Sequence, residues 1–366
     1  MSILTAKVGR GSPQVKRRKP PGTLIGIEAG ETWLRIAQHH AQRKAEQWYA
    51  TGMELPAGAM GGAGKIGRQL RLSARRAGIT RGHAVCALSS PAIDIFPLVL
   101  PPSGSAPLES RILALAGEQL SYPIRDAVVD FATLPEAMTR TGDGGASVLA
   151  FAAPRTLIDA VLQTLDGGGF VVDRIVTPAC ALAPWIARAA PDARHLLIIT
   201  GEGATSISVV QAGQVLLERL LPWSLQRLIQ RLRSELDLTE PQCRGLLLKN
   251  EKLPSGASMP DISPGGSLAH ALRDILGPSF QELTREASGC MGYCNSFLQH
   301  HTVSSILIGG LMACHLPLAE YLKRELELPV QGIGDFIRLP DWGDSGSAST
   351  YATAVCCALW TEEEAA

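Results

Sequence analysis

The sequence contains no run of 18 or more apolar residues, the length a membrane-crossing helix requires, so no span is expected in it. It also has no net charge, because 34 Lys and Arg balance 34 Asp and Glu. No global field therefore draws the body of the protein to nucleic acid or to an anionic membrane. A Gly-x-x-x-x-Gly-Lys-Ser/Thr phosphate loop is missing, and so is a Gly-x-Ser-x-Gly nucleophile elbow. Two common routes to nucleotide hydrolysis and ester chemistry are thereby set aside. The eight cysteines are scattered and do not form a disulfide framework. Cys290 and Cys294 stand four apart on an expected helix, but no Cys or His pair lies nearby at zinc spacing, so buried thiols are expected. His39-His40 and His300-His301 are adjacent pairs, and neighbours in sequence do not converge on one metal.

A chain of 366 residues exceeds one ordinary domain, and 46% hydrophobic residues suffice for a sizeable core. Positive charge is concentrated at the start, where Lys7, Arg10, Lys16, Arg17, Arg18 and Lys19 precede Pro20 and Pro21. Residues 1–22 are expected to be a disordered, solvated tail; the same charges also suit a weak electrostatic arm for anionic lipid or an acidic partner. The segment lacks the apolar core of a signal peptide.

After the tail, Leu24-Ile25-Gly26-Ile27 reads as a buried strand. It turns through Glu28-Ala29-Gly30-Glu31-Thr32 and resumes as Trp33-Leu34-Arg35-Ile36-Ala37. Residues 63–78 form a basic helical stretch with Ile66, Leu70 and Leu72 as its apolar positions. Residues 84–173 then read as a compact α+β set: strands at 84–88, 93–100, 128–133, 148–152 and 170–176, a helix from Pro107 to about Leu120, and another from Leu157 to Leu165. Leu196-Leu197-Ile198-Ile199, the turn Thr200-Gly201-Glu202-Gly203-Ala204-Thr205, and Ile207-Ser208-Val209-Val210 make a second hairpin. Residues 224–300 are mainly helical, and Ile306-Leu307-Ile308 is a strand ending in Gly309-Gly310.

The two hairpins, Leu24–Ala37 and Leu196–Val210, share one plan: an apolar strand, a turn with Gly, Glu and Thr, and a second apolar strand. Such duplication predicts two related lobes. Turn glycines let backbone N–H groups approach a phosphate, and the Thr hydroxyl adds a donor. Gly30 and Thr32 in the first turn, and Gly201, Gly203 and Thr205 in the second, are therefore candidate phosphate contacts. Gly309 and Gly310 are placed to pass beside a base or sugar.

On these residues the sequence resembles the actin-like ATPases, and within them the PilM-like type IV pilus assembly proteins, over about residues 23–360. The resemblance rests on the Ile25-Gly26-Ile27…Gly30 hairpin followed by Arg35, and on Leu100-Pro101 and Tyr122-Pro123-Ile124 in the insert with Asp130 beyond them. Gly201, Ala204 and Thr205, Arg219, the helix at Glu282–Asn295, and Ile308-Gly309-Gly310 complete it. It implies an α/β, two-lobed actin-like ATPase fold with an inserted small α+β subdomain. The expected division is a first lobe over 23–83 and 174–194, the insert over 84–173, and a second lobe over 195–366. It also implies ATP and Mg²⁺ as possible cofactors, with Glu28 as the candidate Mg²⁺ and catalytic carboxylate and Arg35 beside the phosphates.

The sequence departs from that family where chemistry is concerned. The first carboxylate is Glu28 rather than Asp, and Arg35 replaces a lysine. Ile199 stands where the second carboxylate belongs unless Glu202 supplies it, and Thr200 offers a neutral hydroxyl. Glu240 and Arg244 fall out of register with the family's nucleotide contacts, and Pro222-Trp223 replaces a Gly-Gly. These departures predict a weak or absent ATPase. The resemblance further implies a scaffold that binds the cytoplasmic N-terminal peptide of a PilN-like inner-membrane partner, with the strand Ile93–Leu100 as the region to test. Other pilus assembly proteins and self-association are further possible partnerships. Two alternatives stand beside this one: an active ATPase whose cycle switches partner binding, and an FtsA- or MreB-like filament former. The acidic end, Thr361-Glu362-Glu363-Glu364-Ala365-Ala366, is unlike an amphipathic membrane helix.

Overall fold

The structure is a computed structural model that describes residues 25–42, 45–55, 63–101, 106–135, 145–248, 267–297, 302–313, 315–339 and 347–360. The expected basic tail, His300-His301 and the Pro/Gly/Ser-rich stretch 254–266 lie outside the described residues. The chain divides into two units, one of Met1–Trp185 with Thr353–Ala366 and one of Ile186–Ala352.

In chain order the first unit contains strand β1 (Ile25–Ala29), β2 (Trp33–Gln42), β3 (Ala45–Glu54), helix α1 (Ala63–Arg76) and β4 (Gly82–Leu88). Next come β5 (Asp94–Leu100), α2 (Leu108–Gln119), β6 (Ala127–Thr133), β7 (Ala146–Pro154), α3 (Arg155–Gly168) and β8 (Phe170–Val176). Its main sheet has the order β3-β2-β1-β4-β8. β1 runs antiparallel to β2 and parallel to β4; β2–β3 is antiparallel and β4–β8 parallel. All five residues of β1 are buried, as a strand paired on both edges and covered on both faces requires.

Helix α4 (Pro178–Ala189) leads to β9 (Arg194–Thr200), β10 (Thr205–Gln211) and β11 (Gln214–Leu221). Helices α5 (Leu225–Glu235), α6 (Glu240–Leu248) and α7 (Ser267–Phe297) precede β12 (Val303–Gly310). After these come α8 (Leu316–Leu326), β13 (Val330–Gly332), the short α9 (Ile333–Phe336) and α10 (Ser347–Ala358). The second sheet has the order β11-β10-β9-β12-β13. β9–β10 and β10–β11 are antiparallel, while β9–β12 and β12–β13 are parallel. Strand for strand this repeats the first sheet, so the duplication seen in the hairpins extends to whole five-stranded sheets.

A separate three-stranded antiparallel sheet, β5-β7-β6, makes the insert. Leu98 and Leu100 of β5, Ile112 of α2, and Val148 and Ala150 of β7 form its core. The insert is smaller than the expected 84–173, because β4 and β8 belong to the main sheet. Ala84–Leu88 are apolar and buried without alternation, which suits a strand inside a parallel sheet and not the edge of a small one. The ends of the expected lobes also shift. The second unit begins at Ile186, and from Thr353 onward the chain groups with the first unit, whereas 195–366 was expected as one lobe. Gly26 supplies the reason: a Cβ there would lie 1.7 Å from the Ala354 carbonyl oxygen, so a glycine in β1 is what admits the end of α10.

Candidate functional site

In the first hairpin Glu28 and Arg35 are cross-strand partners, and Arg35 Nη1 donates to Glu28 Oε2 at 2.8 Å. Both side chains are buried, at 7% and 4% exposure. The Arg35 guanidinium also lies 5.6 Å from the centre of the Trp33 ring. Burial and then the Glu28 carboxylate push the neighbouring Cys86 thiol up to about 12. The turn is closed by Gly30 N–H donating to Trp33 O at 2.8 Å. A Cβ on Gly30 would meet nothing nearer than 3.5 Å, so the fold itself tolerates a side chain there. Thr32 ends the turn with a buried hydroxyl that has no hydrogen-bond partner among the described residues. Glu31, at the tip, is exposed.

The second hairpin repeats this arrangement. Thr205 is fully buried, and its hydroxyl likewise has no partner among the described residues. The carbonyls of Gly201 and Glu202 accept from the N–H groups of Leu225 and Gln226, at 3.1 Å each. The turn thus satisfies first-turn donors of α5, which otherwise have no intrahelical acceptor. Gly203 is half-buried in the same turn. Glu202 pairs with Arg244 of α6, both nearly buried at 10% and 14% exposure. The carboxylates of Glu28 and Glu202 are therefore each neutralised by an arginine of their own unit, and Ile199 is buried and apolar.

Gly309 and Gly310 end β12 beside Thr200 of β9. The Thr200 hydroxyl donates to Gly309 O at 3.0 Å and accepts from Met312 N at 2.8 Å. Gly310 has φ +80°, and a Cβ there would sit 2.1 Å from Thr200 O. Thr350 of α10 donates to Gly310 O at 3.3 Å. The glycine pair is thus held by its own unit, and Thr200, read from sequence as a neutral hydroxyl near the second carboxylate position, is its brace. Arg219 pairs with Glu286 of α7 at 3.2 Å, and the Trp223 indole donates to Ser279 O at 2.8 Å. Both sites of departure or match therefore tie β11 and its exit to α7. What the sequence could not show was this internal pairing; Glu28 and Arg35 are visible in it, but not the register that joins them.

The insert offers a different surface. β5 is an edge strand, with Val99 64% exposed and Ile95 and Phe96 half-buried. Pro97, in mid-strand, lacks an N–H, which fits an edge. At the base of β5, burial and then the Asp94 carboxylate push Tyr122 up to about 12. Elsewhere, Cys290 and Cys294 are buried free thiols, pushed up chiefly by burial to about 11 and about 12. His39 lies tilted against the Trp48 ring at 4.7 Å, and His40 meets the Tyr49 ring edge-on at 5.3 Å. No group of three or more metal-ligating side chains occurs among the described residues.

No family model and no curated protein matches the sequence. Among solved structures, a PilM-PilN type IV pilus biogenesis complex aligns over 94% of this chain and 98% of that chain, with TM-score 0.73 at 18% identity. The chain has a PilM-like actin fold. The ethanolamine utilization protein EutJ from Carboxydothermus hydrogenoformans aligns over 94% of this chain and 91% of its own, with TM-score 0.53 at 14% identity. At these identities the likeness is one of fold.

Proposed function

We propose that the protein is a cytoplasmic actin-like scaffold of a type IV pilus or related secretion assembly, with a degenerate nucleotide site. It binds the N-terminal peptide of a PilN-like inner-membrane protein and so sits at the inner face of that membrane. The observation that supports this most is the alignment with the PilM-PilN structure over 94% of this chain and 98% of that chain. No helix among the described residues is long and apolar enough to cross a membrane, which fits attachment through a partner.

The edge of β5 is the docking strand in this reading. An extended peptide laid along it gains main-chain hydrogen bonds, while alternate side chains meet Ile95 and Val99. Degeneracy is supported by the two neutralised carboxylates. Mg²⁺ is normally held by one or two carboxylates together with substrate phosphates, and here Glu28 and Glu202 already have arginine partners. Within the first turn, the Thr32 hydroxyl and the space at Gly30 still suit a phosphate group. ATP binding without efficient hydrolysis is therefore part of the proposal.

The test is fluorescence anisotropy with a labelled N-terminal peptide of a PilN-like protein. Val99→Asp is expected to weaken binding at least tenfold with an unchanged melting temperature. Saturable binding that ignores substitutions along β5 would move the docking site elsewhere, and absence of binding would remove the scaffold reading.

A further inference from the structure

Helix α1 uses one face to pack and leaves the other bare. Ile66, Leu70 and Ala74 are buried, on the side toward α3. Lys65, Arg68, Arg71, Arg75 and Arg76 are exposed, and the helix contains no Asp or Glu. Leu72, expected from sequence among the apolar positions of this helix, is instead 50% exposed. It lies four residues after Arg68, three before Arg75, four before Arg76 and seven after Lys65. These spacings place the four cations around it on the helix surface. Arg71 is tied down, donating from Nη2 to Gly167 O at 2.8 Å.

An ordinary solvated helix face mixes charges of both signs, with carboxylates three or four residues from the cations. This one has a single sign and a large apolar side chain at its centre, in a chain whose total charge is zero. We propose that this face of α1 docks on an anionic lipid surface. Leu72 enters the boundary between headgroups and acyl chains, while Lys65, Arg68, Arg75 and Arg76 reach headgroup phosphates on their long side chains. A central apolar residue ringed by cations favours lipid over nucleic acid, whose phosphates reward the arginines but leave Leu72 without a partner. One leucine with a cationic ring gives reversible attachment, strong at low salt and weak at high salt. The proposal is independent of peptide docking at β5.

The test is flotation of the full chain with vesicles of equal parts phosphatidylglycerol and phosphatidylcholine, against vesicles of phosphatidylcholine alone. The wild type is expected to float with the anionic vesicles in about 50 mM salt and to be released in about 500 mM. At roughly fivefold per charge near such a surface, the triple variant Arg68→Glu/Arg75→Glu/Arg76→Glu should lose at least about a hundredfold in partitioning. Leu72→Ser should lose about tenfold at constant charge. Melting temperature and binding of the PilN-like peptide should stay unchanged in both variants, which separates a lost lipid contact from a lost fold. The proposal is overturned if the wild type ignores anionic vesicles, or if the triple variant floats as the wild type does, which would assign binding to the basic residues before Pro20. Retardation of duplex DNA by the wild type, lost in the triple variant while no vesicle is bound, would overturn it in favour of nucleic acid.

Discussion

Glu28 and Arg35 face each other across the first hairpin, joined at 2.8 Å and buried together. In a site that positions Mg²⁺ and phosphate, an acid and a base at these positions would be kept for the ligand. Here each satisfies the other. Removing one partner leaves an uncompensated buried charge, at a cost of roughly 3–5 kcal/mol, while removing both costs far less. Glu28→Gln and Arg35→Met are each expected to destabilise the protein by that order, and the double variant to recover most of it. A double-mutant cycle in urea measures this, and additive losses would mean that the pair is not a unit.

The glycines of the two glycine turns differ in what the fold requires of them. Gly30→Ala fits the available space and should change stability by less than about 0.5 kcal/mol. Gly310→Ala forces a left-handed backbone on alanine and drives its Cβ against Thr200 O, so a loss of at least about 1–3 kcal/mol is expected. Comparing the two unfolding midpoints checks the distinction. A Gly30→Ala variant that unfolds as readily as Gly310→Ala would contradict it.

The hydroxyls of Thr32 and Thr205 are buried without a partner among the described residues. An unsatisfied buried hydroxyl costs about 1–3 kcal/mol, so Thr205→Val, which keeps the shape, is expected to leave the ligand-free protein as stable or more so. In the nucleotide reading the same change weakens ATP binding. Thermal melts with and without ATP separate the two effects, and destabilisation without ligand would reveal a partner within the fold.

His195 lies in the second sheet, its Nδ1 2.8 Å from Ser305 Oγ and its ring 5.0 Å from Phe336. Burial lowers its pKa from 6.5. A depressed folded-state value means that its contribution to stability is present above about 6.5 and is lost as pH falls through the folded pKa. His195→Gln should therefore show a shallower fall in urea midpoint than the wild type as pH drops below 6.5. Parallel pH profiles for the two proteins would assign the acid sensitivity elsewhere.

Much of this architecture is legible in the sequence, for identifiable reasons. β1–β2 and β9–β10 announce themselves because each is a pair of apolar runs around a glycine turn. β3 does not, since Ala-Glu-Gln-Trp-Tyr-Ala-Thr-Gly-Met-Glu has neither an apolar run nor clean alternation. β13 is three residues long, too short for a pattern. The limits of the insert were misplaced because β4 and β8 look like neighbours of β5 and β7 along the chain, and only parallel pairing with β1 reassigns them. At the candidate site the residue types were visible, but pairing across space was not: Glu202 meets Arg244, and Thr200 braces Gly309, through contacts remote in sequence.

The most direct test is a calorimetric titration of the PilN-like N-terminal peptide into the full chain, with Mg-ATP and without it. The account predicts one peptide site whose affinity is the same in both titrations, and no phosphate release during the experiment. A peptide that fails to bind, or one whose affinity follows the hydrolysis of ATP, would contradict it.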